Sequence, residues 1–131
     1  MSAVTLLPEE TLQRLDDTGI TLSVTVEPQA PVFAGHYPGF PLLPGVFLLD
    51  LAERAVRRFA AGHGRRLELE AIATTRFLSP VLPGAEVVVD CTVKAGEGAL
   101  RTVTARCTAD GVKAATFRLR HRELQRIAHP Q

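Results

Sequence analysis

The chain of 131 residues has little of what metal binding, membrane insertion or nucleic-acid recognition requires. It has two cysteines, Cys91 and Cys107, too few and too far apart for a zinc site or a disulfide framework. Its longest apolar run, residues 40–49, falls far short of the ~18 residues of a membrane span. The N-terminus, MSAVTLLPEE, lacks the basic start and apolar stretch of a secretory signal, so the cytoplasm is the expected compartment. Formal net charge is +1, against the basic excess that a dedicated nucleic-acid binder needs to neutralise phosphates. No segment is repeated or of low complexity. With 46% hydrophobic and 22% charged residues, the chain reads as one globular domain, residues 1–131, too short for two.

The arginines are unevenly spread. Arg54, Arg57, Arg58, Arg65 and Arg66 cluster in mid-chain, and Arg118, Arg120, Arg122 and Arg126 near the C-terminus. They fit either a solvated surface or a patch that steers an acidic protein partner.

Residues 20–27 (ITLSVTVE) alternate apolar and polar, the period of a half-buried strand. Before them, residues 8–17 (PEETLQRLDD) carry a proline and acids where a short helix would start. Residues 28–44 hold five of the nine prolines, which excludes helix and central strand and implies a rigid, shaped loop. The loop leads into a helix expected over residues 44–61, with Pro44 in its first turn and Gly62 as its C-terminal cap. The first half of that helix is apolar on all sides except at Asp50, as in a buried helix. Four strand-length runs follow, over residues 67–78, 85–94, 100–109 and 112–122, separated by Gly- or Pro-bearing turns. If the turn centres on Glu97, Cys91 falls near Val103 and Cys107 near Val87, roughly 13 Å apart along the ladder and beyond disulfide reach. The plan is α+β: an antiparallel sheet wrapped around one long helix. A bare edge strand in such a sheet favours pairing with a second copy.

The chemistry sits in GHYPGFPLLPGVFLLD, residues 35–50. His36, Tyr37, Pro38, Gly39, Pro41, Pro44, Gly45 and Asp50, with the acid fourteen positions after the His, resemble the signature of the 3-hydroxyacyl carrier-protein dehydratases of fatty acid synthesis. RFLSPVLPGAEV, residues 76–87, resembles the strand-turn-strand block of the same family. The resemblance covers roughly residues 20–120 and implies the hot-dog fold of these thioester dehydratases, a sheet wrapped around a central helix. It implies a lyase that turns a 3-hydroxyacyl thioester into the trans-2-enoyl thioester in fatty acid or polyketide assembly, without a cofactor or metal. It also implies an acyl carrier protein or coenzyme A as the bearer of the substrate.

Elimination of water needs a base for the weakly acidic α-proton, an acid for the departing hydroxyl, and donors for the enolate-like oxygen. His36 is the expected base, its reference pKa of ~6.5 lying near working pH. Asp50 is the expected acid; to act it must hold a proton, which its setting between Leu49 and Leu51 is expected to favour by desolvation. The unpaired amides of the helix start, that of Gly45 foremost, would meet the carbonyl oxygen. The expected substrate-binding positions are Gly39, Gly45, Val46 and Arg54. By the resemblance His36 and Asp50 face each other across a dimer, homo- or heteromeric. Arg54 departs from the family's usual Gln. A cation one turn beyond Asp50 also makes an ordinary helix ion pair, opposed to proton donation. A weakly active partner subunit of a heterodimeric dehydratase, or a hot-dog acyl thioesterase with a helix carboxylate and no need of the loop His, are the other readings. His63 is expected to cap the helix end facing solvent, and His121 and His129 carry no signal.

Overall fold

The computed structural model describes residues 10–27 and 45–124. In chain order the elements are β1 (Thr11–Leu15), β2 (Gly19–Thr25), α1 (Gly45–Gly62), β3 (Leu67–Phe77), β4 (Glu86–Ala95), β5 (Leu100–Ala109) and β6 (Val112–Glu123). All six strands form one antiparallel sheet in the order β1-β2-β4-β5-β6-β3. The α+β plan read from the sequence is the architecture found.

Of residues 8–17, where a short helix was expected, the described part, residues 10–17, holds the strand Thr11–Leu15 instead. Asp16 accepts the amides of Thr18 (2.9 Å) and Gly19 (3.0 Å) on its carboxylate, and this Asx turn folds Thr11–Leu15 back onto β2. A segment this short is a marginal helix in water, whereas antiparallel pairing gives its backbone partners at once. Gly19 closes the turn against β4: a Cβ there would stand 2.1 Å from the Cys91 carbonyl oxygen.

The core is the contact between the sheet's inner face and one stripe of α1. Period-two positions Ile20, Leu22, Val24, Val87, Val89, Cys91, Val103, Ala105, Cys107, Phe117 and Leu119 meet Leu48, Leu51, Ala52, Ala55, Val56 and Phe59. Each large side chain so buried contributes about 1.5–3 kcal/mol. Ala52 and Ala55 let the helix lie close. α1 packs chiefly over β4 and β2, so the inner face of the edge strand β3 is short of cover: Ile72 is 46% and Phe77 60% exposed.

Two turns differ from expectation. The left-handed residue after α1 is Gly64 (φ +67°), not Gly62. Gly62 is the last helical residue, where a Cβ would meet the Leu15 side chain at 2.8 Å. The β4–β5 turn places Gly98, at φ +59°, near its centre. Pairing is therefore Cys91 to Ala105 and Cys107 to Val89, a slip of two residues from the expected register. Both cysteines are nonetheless free and buried. Burial pushes the Cys107 thiol up to about 12 and Cys91 further in the same direction, so neither is a nucleophile at neutral pH.

Candidate active site

α1 opens at Gly45, whose missing side chain leaves room for the ring that lies on it. A Cβ at Gly45 would come within 2.3 Å of the Phe77 ring at the end of β3. That ring in turn makes an edge-on contact with Phe117, centroids 6.0 Å apart. Beyond Phe77 the chain is pinned to β6 by the amides of Leu78 (2.8 Å) and Ser79 (3.3 Å), both donating to the Ala114 carbonyl, and by the Ser79 hydroxyl donating to that of Lys113. Further on, Gly84 and Ala85 exchange backbone bonds with Val26. The described end of the first block, residues 45–50, thus meets the second block. Between Gly45 and Leu48 of α1 and the segment 77–81 lies a cleft of about 320 Å³. The first amides of α1 have no partner within the helix, and the helix dipole adds partial positive charge at this end.

Asp50 lies five residues along α1 from Gly45, about 7.5 Å up the axis, and is not among the residues lining this cleft. Its side chain is 46% exposed, less withdrawn from water than its apolar neighbours suggested. The Arg54 Nε stands 3.0 Å from its Oδ2, so the helix ion pair weighed from the spacing is formed. Arg54 also reaches Glu10 at 3.6 Å, and Glu10 reaches Arg58 at 3.8 Å, tying the lead into β1 to the helix. Val46 projects outward at 63% exposure. His36 and Gly39 lie outside the described residues.

Two features were not foreseen. The cleft wall of Phe77, Leu78 and Val81 was quoted only as a family block, because the bend after β3 shows in no period. His121, read as carrying no signal, is fully buried on β6, with Nε2 2.8 Å from Glu53 Oε1 on α1 and Nδ1 without a partner. Its position on the inward-facing register of β6 is the signal that could have found it. His63 does cap the helix end, its Nδ1 lying 2.8 Å from the Phe59 carbonyl, but it is half-buried on the Phe59 ring rather than facing solvent.

The family model described as ApeI-like, ApeI dehydratase, matches residues 12–118. The chain is 28% identical over 114 residues to the 3-hydroxyacyl-[acyl-carrier-protein] dehydratase FabZ of Polynucleobacter necessarius, covering 84% of this chain and 76% of that one. Among solved structures it resembles the dehydratase heterocomplex ApeI:P from Xenorhabdus doucetiae, with a TM-score of 0.73 and 21% identity over 88% of this chain and 97% of that one. It also resembles a hypothetical thioesterase with coenzyme A from Streptococcus pneumoniae, with a TM-score of 0.76 and 9% identity over 92% of each chain. At these identities the structural likenesses establish the hot-dog fold alone.

Proposed function

The chain belongs to the ApeI-like dehydratase family, and from that premise we propose that it converts a carrier-bound 3-hydroxyacyl thioester to the trans-2-enoyl thioester. Fatty acid or polyketide assembly in the cytoplasm is the setting. His36 takes the α-proton, Asp50 protonates the departing hydroxyl, and the Gly45 amide, with Gly39 and Val46 alongside, receives the carbonyl oxygen as charge moves onto it. The products are the enoyl thioester and water. One observation carries this reading: the described end of the first motif block, at Gly45 and Leu48, and the second block line one small, mostly apolar cleft at the helix start, where backbone amides suit an oxyanion. His36 of one subunit working with Asp50 of another fits the uncovered edge strand β3, on which a second hot-dog subunit would complete the site.

The test is the appearance of enoyl absorbance when purified protein meets a 3-hydroxyacyl thioester. His36→Ala and Asp50→Asn are each expected to lower kcat by about 10²–10⁴-fold, as for the loss of a general base or acid. Inert wild-type protein overturns the reading for a homo-oligomer.

The Asp50–Arg54 pair favours a second reading, in which the chain is one subunit of a heterodimeric dehydratase. A carboxylate engaged by guanidinium at 3.0 Å must be released before it can donate a proton, and a related subunit could supply a free acid instead. Activity that appears only on mixing with a second hot-dog chain would select it. The thioesterase alternative has support only from likenesses of fold.

A further inference from the structure

The sheet's outer face, turned away from α1, carries cations that form no ion pair among the described residues. The strand register fixes their layout. One row across β4, β5 and β6 reads Lys94, Thr102, Arg120. The next reads Thr92, Thr104, Arg118, and continues onto β3 with Thr74. The third reads Asp90, Arg106, Thr116, Arg76, and Lys113 stands opposite Thr108 beyond it. A threonine separates each cation from the next across the strands, which avoids the cost of like charges directly opposite.

Among the described residues none of Arg76, Lys94, Arg106, Lys113, Arg118 and Arg120 has an acidic partner. Asp90, across from Arg106, is engaged by Arg14 at 3.2 Å and Thr21 at 2.5 Å, and Glu70 by Arg122. Of the 14 acids in the chain only Glu9 lies outside the described residues, so the rest of the sequence holds almost nothing to cancel this charge. The face is also continuous with the candidate site. A groove of about 480 Å³ between Arg76, Arg106 and Lys113 is bounded by Leu78, which lines the Gly45 cleft as well.

We infer that this face docks the acidic surface of the carrier protein that delivers the thioester, an inference that rests on the dehydratase reading. The cations spread over three strand spacings, about 14 Å at ~4.8 Å each, too broad for a single phosphate and suited to carboxylates spaced along a protein surface. Nucleic acid is disfavoured by a net charge of only +1. A second copy is disfavoured because back-to-back stacking would oppose like charges.

The test uses Arg106→Glu/Arg118→Glu, two exposed or half-exposed positions outside the cleft. Kinetics are compared on a 3-hydroxyacyl group borne by an acyl carrier protein and on its neutral N-acetylcysteamine thioester, alongside calorimetric titration with the holo carrier protein. The expected result is a rise of about tenfold or more in KM and Kd for the carrier protein, with the wild-type advantage lost at high salt and the small thioester turned over as before. Unchanged Kd at both salt concentrations overturns the docking face while leaving the dehydratase reading intact. Failure of both substrates to react with the wild-type protein overturns the homo-oligomeric dehydratase reading, and the titration still decides the face. Displacement of the carrier protein by an equal concentration of duplex DNA overturns the assignment to a protein partner.

Discussion

At the scale of single residues the clearest energetic commitment is the bond between Glu53 and the buried His121. His121 Nδ1 already lacks a partner, so removing Glu53 leaves both ring nitrogens unsatisfied in the core. Glu53→Ala is therefore expected to cost about 1–3 kcal/mol and to lower Tm by several degrees in thermal unfolding followed by circular dichroism. A Glu53→Leu/His121→Leu pair, which removes the polar groups together, should recover most of that loss, since apolar replacement of a buried pair is often neutral or better. A double variant as unstable as the single one would show that packing, not polarity, governs the position. The fourteen-position spacing from His36 to Asp50, proposed above as the acid/base pair, was legible because it is a linear motif. The Glu53–His121 pair was not, because the two residues lie 68 apart and meet only once β6 has a register.

At the scale of elements, the turn between β1 and β2 depends on one carboxylate. Asp16 is held at about 2, below the ordinary aspartate value, first by the Thr18 amide and then by Arg14. A depressed folded value means that the stabilisation is present above the unfolded pKa, near ~3.9, and is lost as pH falls through about 2. Urea midpoints measured from pH 5 down to pH 2 should fall for the wild type, with the part due to Asp16 absent in Asp16→Ala. Equal slopes for the two proteins would remove Asp16 from the acid response. Four of the six strands could be read to within a residue as strand-length runs between Gly- or Pro-bearing turns, and β2 to within two residues from its alternation. β1 could not, because TLQRL alternates weakly and most of its residues stay exposed as an edge. The two-residue slip between β4 and β5 escaped for a related reason: with glycines at both 96 and 98, the sequence leaves the centre of the turn undecided, and the backbone resolves it at Gly98.

At the scale of the whole molecule, the described residues place one helix over a six-stranded sheet and leave β3 at the sheet's edge, unpaired among them on its outer side and poorly covered on its inner face. An edge strand with exposed Ile72 and Phe77 is an invitation to pairing with a related subunit. Ile72→Lys is expected to shift sedimentation from dimer to monomer and to abolish activity with it. A variant that stays dimeric would place the interface elsewhere. Wherever a second subunit does cover that surface, the apolar area withdrawn from water belongs to the pair and not to either chain. Folding free energy then gains a term in the logarithm of protein concentration. Dilution alone, with no change of temperature or solvent, would loosen the strand that walls the cleft.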